Sequence, residues 1–314
     1  MKLKEAVQFI PARILGVSTP VRVKSIHNLG MGECHLNYLV KIDNKKFIVR
    51  ININENDPDK SRREYLALKA VDHLNIAPKV FYLHMATKKF NENFIVLEYI
   101  EGKTFRKKNR VYTKQEIMQL ARILAKMHNC KDKELKPKYY QYKDFIKDSD
   151  KYFSKIKKYV SKKEYYQLRL IQNEIIKKIK NIPEKHVFGI IHNDICPQNI
   201  VKTKTGLKLI DWESMAYSDT ARDIAFLIID IRLKSKDLQL FLKEYSKKRN
   251  DSTVLNRAKI YAKCITFIYV LWEILRAHEV KHKKLHKEYL KRTPVEKHFN
   301  EATQWLKFHK TLMF

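Results

Sequence analysis

Three polar residues between positions 194 and 211 have the chemical types and the spacing of a phosphoryl-transfer site. Asp194 lies just after a short apolar run, Asn199 comes five positions later, and Asp211 follows a second apolar run. A carboxylate can take the proton of an attacking hydroxyl, and amide and carboxylate oxygens are ligands of Mg²⁺. We therefore predict Asp194 as the catalytic base, Asn199 and Asp211 as metal ligands, and His192 as a residue that holds the catalytic loop.

The spacing of these residues matches the catalytic and metal-binding loops of kinases, in which HxDxxxxN precedes an Asp carried by a strand. The alternative is a chance match in a loop, and the separation of 17 positions between Asp194 and Asp211 argues against it. The segments HNDICPQN, LKLIDWES and SDTARDIAF resemble the aminoglycoside phosphotransferase and choline kinase family. The resemblance spans nearly the whole chain, and it implies ATP and Mg²⁺ as cofactors in a protein-kinase-like fold.

The elements that position these residues are predicted from the hydrophobic pattern. Residues 21–53 alternate like paired antiparallel strands, and helical spacing follows over 61–75. Two more strands are predicted before residue 101, and the chain beyond is helical nearly to its end, with a pair of amphipathic helices within 131–185. With the resemblance, this pattern indicates an α+β, two-lobed protein-kinase-like fold. A small N-terminal antiparallel-sheet lobe (1–100) would bind the nucleotide, and a larger, mainly helical C-terminal lobe (101–314) would carry the catalytic loop and the acceptor site.

The N-terminal lobe contains the predicted nucleotide-binding residues. Gly30 and Gly32 lie between two strand-like runs, where small residues let backbone N–H groups approach phosphates, although an ordinary hairpin turn is the alternative. Arg50 has a planar, permanently charged fork that suits phosphate oxygens, and choline-kinase-like members of the family are similar in using Arg there. Glu64 is the predicted ion-pair partner of Arg50, and Glu55, in a polar turn, is its competitor.

Four further positions take their roles mainly from the resemblance. Glu98 and Ile100 lie in LEYIEG, which resembles the hinge between the lobes, where backbone groups bind adenine. Asp223 matches a family position whose carboxylate fixes the catalytic loop. For Glu213, the sequence leaves open whether the carboxylate assists the metal or holds the loop.

The segment CITFIYVLWEILRAHE is the candidate acceptor region. Tyr269, Trp272 and Glu273 lie within about one turn of a helix that resembles the C-terminal helix of choline kinases, where aromatic residues enclose a quaternary ammonium group. Cation–π attraction would contribute ~0.5–2 kcal/mol per ring. The competing interpretation is that these aromatic residues belong to the core of a buried helix. We expect choline, ethanolamine or a similar amino alcohol as acceptor, with aminoglycosides, sugars or nucleosides as alternatives.

The composition is strongly basic, with 65 Lys and Arg against 34 Asp and Glu and a net charge of +31. This excess permits nucleic acid or an anionic surface as a partner. The lysines, however, occur with abundant Ile, Asn and Tyr, as an AT-rich genome would produce, so a small-molecule hydroxyl substrate is the favoured partner. His278, His282 and His286 share the spacing of a metal site, but the surrounding lysines indicate a solvated basic face.

The remaining sequence features bear on location and function class. Isolated cysteines indicate a reducing compartment, and no secretory signal or transmembrane segment is predicted, so we expect a cytoplasmic protein. A catalytically silent nucleotide- or nucleic-acid-binding protein is the second class, and the complete set of Asp194, Asn199 and Asp211 argues against it. A protein kinase is disfavoured because no activation segment with an APE-type end follows Asp211.

Overall fold

The computed structural model describes residues 7, 10–31, 35–53, 59–88, 91–105, 111–130, 142–180, 187–285, 290 and 293–312. The chain divides into two compact units. Met1–Asn109 and Pro197–Met215 make up the first unit, and Arg110–Cys196 and Ala216–Phe314 make up the second. Within the described ranges, no helix has both the length and the apolar character that are needed to cross a membrane.

The first unit is built on a five-stranded antiparallel sheet with the strand order β1-β2-β3-β5-β4. The strands are β1 (Val23–Met31), β2 (His35–Ile42), β3 (Lys45–Asn52), β4 (Val80–His84) and β5 (Phe94–Glu98). A short helix, α1 (Ala12–Leu15), precedes the sheet. Helix α2 (Lys60–Val71), followed by a 3₁₀ turn at Asp72–Leu74, lies between β3 and β4 in the chain.

Side-chain periodicity explains both the sheet and helix α2. In β3, Phe47, Val49 and Ile51 are buried at every second position, as a strand with one face on the core requires. In α2, the buried positions recur at helical spacing and include Glu64 and Leu68. The helix therefore holds a carboxylate inside the first unit, where burial demands a charged partner.

A second, three-stranded sheet completes the first unit, with the order β6-β8-β9. Its strands are β6 (Lys103–Thr104), β8 (Ile200–Thr203) and β9 (Gly206–Leu209). Strands β8 and β9 form an antiparallel hairpin that pairs Ile200 with Leu209 and Thr203 with Gly206. The predicted metal ligands lie just before β8 and just after β9, at the open end of this hairpin.

The second unit is mainly helical. Its helices are α3 (Lys114–Asn129), α4 (Tyr142–Ile156), α5 (Lys162–Ile179), α6 (Ala221–Ile229), α7 (Ser235–Ser246), α8 (Val254–Lys281) and α9 (Val295–Thr311). A two-stranded antiparallel sheet joins β7 (Phe188–Ile191) to β10 (Ala216–Asp219). Helix α8 has 28 residues and packs against both α6 and α9.

Local sequence signals account for several of these helices. Capping boxes at Thr113/Glu116 and Ser161/Glu164 satisfy backbone N–H groups that the first turns of α3 and α5 leave unpaired. The two amphipathic helices predicted within 131–185 are present as α4 and α5, and their apolar faces pack in a core with α8. Phe153 of α4, for example, lies 6.3 Å from Phe267 of α8 between ring centres.

The predicted α+β class is confirmed, with an antiparallel sheet in the N-terminal region and a mainly helical C-terminal part. The lobe boundary near residue 100 stays a prediction. Residues 197–215, which the sequence assigns to the C-terminal lobe, are part of the first compact unit because the β8–β9 hairpin pairs with β6.

Candidate active site

The β8–β9 hairpin brings the two predicted metal ligands to the same end of one small sheet. Asn199 directly precedes β8, and its carbonyl oxygen accepts a hydrogen bond from Ile210 N at 2.8 Å. Asp211 is the next residue after Ile210, so the hairpin register makes Asn199 and Asp211 neighbours. Asn199 is buried, whereas the Asp211 side chain is 35% exposed. The more accessible carboxylate thus lies beside a buried amide.

Arg50 holds Asp211 and Glu64 together within the first unit. Its Nη1 lies 2.6 Å from Glu64 Oε1 and 2.8 Å from Asp211 Oδ1, and its Nε donates to Asn37 Oδ1 at 3.0 Å. Burial opposes the charge of Arg50, but the two carboxylates outweigh it and raise the pKa of the guanidinium. The structure contains the ion pair of Arg50 with Glu64 that the sequence predicts, and it adds a contact with Asp211 that the sequence does not reveal.

The donor set at Asn199 and Asp211 suits Mg²⁺. In proteins, this ion is usually bound by one or two carboxylates and completes its shell with water and substrate phosphates. Asp211 offers one carboxylate and Asn199 an amide oxygen. Across the part of the chain that the structure describes, no group of three or more His, Cys, Asp or Glu side chains could enclose a metal ion. The pair therefore fits a metal that arrives with a polyphosphate.

The loop that carries Asp194 belongs to the second unit and is fixed by Asp223 of α6. The backbone N–H groups of His192 and Asn193 both donate to the Asp223 carboxylate, at 2.9 and 2.7 Å. Asp223 is fully buried, and His128 Nε2 lies 3.1 Å from the same carboxylate. The anchored backbone leads directly to the half-buried Asp194. Asp223 thus makes the loop contacts that the resemblance implies for it.

Two backbone features shape this loop. Asn193 has a φ of 64°, a left-handed conformation that Asn tolerates better than most residues, and its Oδ1 accepts a hydrogen bond from Arg222 Nε at 3.1 Å. In β7, a Cβ added to Gly189 would lie 2.2 Å from the carbonyl oxygen of His128. Glycine therefore allows β7 to approach α3 closely, and the loop begins from that strand.

The predicted phosphate loop is described in part. Gly30 has a φ of 115°, which favours glycine, and its N–H donates to Asn28 Oδ1 at 2.7 Å. The register between β1 and β2 shifts at this point, which indicates a bulge. Gly32, Glu55 and His286, which the sequence also singles out, lie outside the described residues.

The predicted adenine-binding segment begins at the end of β5. Glu98 N donates to Lys79 O at 2.8 Å, and the Glu98 carboxylate accepts from Lys79 N at 3.1 Å and lies 3.6 Å from Lys208 Nζ. Ile100 follows two positions later and is half-buried. The side chain of Glu98 therefore anchors the strand end.

Among the predicted acceptor residues, Tyr269 is influenced by the charge of the predicted base. Its hydroxyl donates to Asp230 Oδ2 at 3.3 Å, and its ring packs on Trp305 at 4.8 Å between centres. Burial, followed by the charges of Asp230 and Asp194, raises the pKa of Tyr269 well above its ordinary value. An aromatic ring and two carboxylates thus interact within the second unit.

Trp272 and Glu273 have partners of their own in the second unit. The guanidinium carbon of Arg276 lies 5.3 Å from the centre of the Trp272 ring. Glu273 is 3% exposed, and its Oε2 lies 2.6 Å from Nδ1 of the equally buried His298. The contact between Glu273 and His298 ties helix α8 to helix α9.

Sequence reasoning missed Asp230 and His128. Asp230 follows Asp223 by seven positions, close to two helical turns, so a helical projection of α6 would have placed both carboxylates on one face. His128 lies at the end of α3, in a segment without a motif, and its contact with Asp223 joins residues that are 95 positions apart. No local signal in the sequence indicates that contact.

Comparison with known proteins places these observations in a family. A family model described as the phosphotransferase enzyme family matches residues 25–252. A curated relative, a LicA homolog of Mycoplasma capricolum subsp. capricolum, is 28% identical over 118 residues, which cover 35% of this chain and 48% of the relative. The match thus spans about half the length of that relative.

Three solved structures show the same fold. LicA in complex with AMP has 21% sequence identity and a TM-score of 0.67, with all of both chains covered. The GDP and kanamycin complex of APH(2")-IIia has 13% identity and a TM-score of 0.70, also over both whole chains. A choline/ethanolamine kinase family protein from Mesorhizobium loti has 16% identity and a TM-score of 0.67, over 100% of this chain and 95% of the other.

These likenesses confirm the expected kinase-like fold, and the family match confirms the resemblance read from the motifs. The matched residues include Arg50, Asp194, Asn199 and Asp211. They also include Asp223, which anchors the catalytic loop. The chain belongs to the phosphotransferase enzyme family.

Proposed function

We propose that this chain transfers the γ-phosphoryl group of ATP, with Mg²⁺, to a hydroxyl group of a small molecule. The observation that carries the proposal is the hairpin register that makes Asn199 and Asp211 neighbours while Arg50 holds the Asp211 carboxylate. Solved structures of the same fold that contain AMP or GDP support a nucleotide as the phosphoryl donor. A cytoplasmic location, where thiols stay reduced, agrees with this assignment.

In this proposal, the first unit binds the nucleotide. Asn199 and Asp211 hold Mg²⁺, which when bound neutralises charge on the phosphates. Arg50, oriented by Glu64, contributes a fixed positive charge toward the same phosphates. The loop that contains Gly30 and Gly32 is assigned to the phosphates through backbone N–H groups other than that of Gly30, which donates to Asn28. The Glu98 side chain contacts Lys79 and Lys208, so it is not assigned to the nucleotide. Adenine is assigned instead to backbone groups at Glu98 and Ile100.

The second unit supplies the proton acceptor. Asp194 takes the proton of the acceptor hydroxyl as the hydroxyl oxygen bonds to the γ-phosphorus, and the bond from that phosphorus to the bridging β-phosphate oxygen breaks to release ADP. Asp223 fixes the backbone just before Asp194 by accepting hydrogen bonds from the N–H groups of His192 and Asn193. The Asp194 carboxylate therefore does not have to be ordered during the reaction. His192, which is fully buried, holds the loop.

We further propose a cationic amino alcohol, such as choline or ethanolamine, as the acceptor. Asp230 accepts a hydrogen bond from the Tyr269 hydroxyl, and the charges of Asp230 and Asp194 both raise the pKa of that hydroxyl. Negative charge beside an aromatic residue suits an ammonium group. The solved structure of the same fold that is described as a choline/ethanolamine kinase family protein supports this class. Trp272 and Glu273 are assigned less direct roles, because Arg276 and His298 already contact them.

The experiment that tests the proposal measures phosphoryl transfer by the purified chain. Mg²⁺ and ATP are supplied with choline, ethanolamine, kanamycin, a hexose or a nucleoside, and each product is examined by mass spectrometry for the added phosphoryl group. Asp194→Asn is the negative control. We expect transfer to at least one amino alcohol.

Transfer to kanamycin, the hexose or the nucleoside alone would refute the amino-alcohol assignment and support the kinase assignment. Nucleotide binding without transfer to any acceptor would favour the catalytically silent class. Absence of Mg²⁺-dependent nucleotide binding would refute the proposal as a whole.

A further inference from the structure

Glu213 lies at the centre of a buried ion-pair cluster in the first unit. Its Oε1 is 2.9 Å from Lys60 Nζ, and its Oε2 is 2.8 Å from His35 Nδ1. The side chains of His35, Lys60 and Glu213 are 6%, 13% and 21% exposed. Burial opposes the charge of Glu213, but these contacts outweigh it and lower its pKa to about 2. The Glu213 carboxylate therefore contacts nitrogen atoms from two other segments of the first unit.

The cluster connects three segments that the proposed nucleotide site uses. His35 is the first residue of β2, immediately after the predicted phosphate loop. Lys60 is the first residue of α2. Glu213 follows Asp211 by two positions. One carboxylate thus joins the end of the loop, the start of the helix and the segment that presents Asp211.

Helix α2 reaches the Asp211 segment by two routes. Lys60 and Glu64 are four positions apart, so they share a face of the helix. Glu64 contacts Arg50, which contacts Asp211, and Lys60 contacts Glu213 directly. Arg50 holds the carboxylate of Asp211 itself. Lys60 holds the side chain of Glu213, two positions further along the chain.

The backbone at Asp211 needs such support. Its φ of 68° is left-handed, which costs a residue other than glycine about 1–2 kcal/mol and persists where surrounding contacts enforce it. On one side, Trp212 is fully buried and its Nε1 donates to Leu209 O at 2.9 Å. The next residue, Glu213, is held by its contacts with Lys60 and His35.

We propose that Lys60 and His35 are positioning residues that act through Glu213 to aim the Asp211 carboxylate at the metal. The inference rests on the proposed function, because it takes Asp211 as a metal ligand. Glu213 itself is assigned to this tether between Lys60, His35 and the Asp211 segment, since its carboxylate oxygens lie 2.9 Å from Lys60 Nζ and 2.8 Å from His35 Nδ1.

The test is calorimetric binding of a non-hydrolysable ATP analogue, measured once with Mg²⁺ and once with EDTA. Removing residues that orient metal ligands typically costs about 10–100-fold in metal affinity, so we expect Lys60→Met to weaken binding about tenfold with Mg²⁺. With EDTA, the affinity should stay within about twofold of the wild type. His35→Ala should act in the same direction.

Two variants control for charge and for general damage to the helix. Lys60→Arg keeps the charge and the reach to Glu213, so it should restore Mg²⁺-dependent binding. Lys69→Met removes a lysine from the exposed side of the same helix, where Lys69 lies 5.7 Å from the centre of the Tyr65 ring, and should bind like the wild type. Melting temperatures without ligand report any loss of folding.

The inference is overturned if Lys60→Met weakens binding equally with Mg²⁺ and with EDTA, since that result indicates a general structural role. It is also overturned if Mg²⁺-dependent binding is unchanged while the melting temperature falls. The wild type distinguishes failure of the proposed function from failure of the tether. If the wild type shows no Mg²⁺-dependent binding, the proposed function fails, whereas normal wild-type binding with an unaffected Lys60→Met variant refutes the tether alone.

Discussion

Asp194 is the residue on which the proposed chemistry depends most directly. Replacing it in Asp194→Asn keeps the shape of the side chain and removes the proton acceptor, so kcat should fall by about 10²–10⁴-fold. The affinity for the nucleotide should remain nearly unchanged, because the metal and phosphate contacts are assigned to Asn199, Asp211 and Arg50. Initial rates and calorimetric titration measure the two effects. A variant with wild-type kcat would contradict the assignment of the base.

Asp230 provides a test of the proposal that the acceptor is recognised by its charge. Asp230→Asn keeps a hydrogen-bond acceptor for Tyr269 but removes the negative charge. A charged hydrogen bond contributes about 1.5–3 kcal/mol, so the KM for a cationic acceptor should rise about tenfold or more, with a smaller change in kcat. Steady-state kinetics with the accepted amino alcohol measure the change.

Glu273→Gln is the matched control for this measurement. Glu273 is a second buried carboxylate of the same unit, but its partner is His298, which ties α8 to α9. This variant should lower the melting temperature and leave the acceptor KM near the wild-type value. The reverse pattern, with KM changed by Glu273→Gln and not by Asp230→Asn, would assign the recognition of the acceptor charge to Glu273.

The sequence predicts which residues form the candidate site better than it predicts which residues they contact. The sequence predicts Asp194, Asn199 and Asp211 from spacing, because a loop motif is local. The contact between Arg50 and Asp211 joins residues that are 161 positions apart, and the contact between Lys60 and Glu213 is also long-range. A single sequence carries no local signal for such pairs, since they depend on how the strands and helices pack.

The hydrophobic pattern predicts the strands and helices that bury one face of their own residues. The alternation in β1–β3 and the helical spacing in α2, α4 and α5 follow from one buried face per element, and the structure contains all of them. The hairpin at residues 200–209 is a different case. Its membership of the first unit depends on pairing of β8 with Lys103–Thr104, about 100 positions earlier, which its own hydrophobic pattern cannot indicate.

The junction between β7 and α6 yields a prediction about the catalytic loop as a whole. Asp223 accepts hydrogen bonds from the backbone of His192 and Asn193 and contacts His128. Asp223→Asn replaces one acceptor oxygen with an NH₂ group, which leaves a buried N–H group without an acceptor at a cost of about 1–3 kcal/mol. We therefore expect a lower melting temperature together with a lower kcat.

Comparison with Asp194→Asn distinguishes the two carboxylates. Both variants should lose activity, but Asp194→Asn should keep the melting temperature of the wild type because Asp194 is half-buried. Calorimetric melting of both variants, measured beside their rates, provides the comparison. A stable Asp223→Asn variant with full activity would show that the loop does not need this anchor.

The net charge of the chain is +31, but its effect on a ligand depends on distance. Charges separated by more than about 8 Å are largely screened at physiological salt. The local carboxylates therefore dominate their own surroundings. Glu64, Asp211 and Glu213 all act on the pKa of Arg50 in the first unit, and Asp194 and Asp230 act on the pKa of Tyr269 in the second, so the net positive charge does not conflict with the proposed metal and ammonium sites.

Buried histidines make the stability of the whole molecule depend on pH. Burial lowers the pKa of His128 and His298, and burial together with Lys263 lowers the pKa of His309 to about 4. In the unfolded chain, a histidine titrates near 6.5. Between these values the unfolded chain binds more protons than the folded one, so the free energy of unfolding should fall as the pH drops from about 7 toward 4.

His309 gives this prediction a sharp test. At about 1.4 kcal/mol per pKa unit, its contribution to the fall amounts to roughly 3 kcal/mol once the pH is below 4. His309→Asn, which keeps a polar group near Thr266, should be less stable at pH 7 but should lose less stability on acidification. Thr311→Ala, on the last turn of the same helix, removes an exposed hydrogen bond to Phe308 O and no titrating group, so it should shift the stability curve without changing its slope. Denaturant unfolding at several pH values measures these slopes, and equal slopes for His309→Asn and the wild type would show that His309 does not stay neutral in the folded protein.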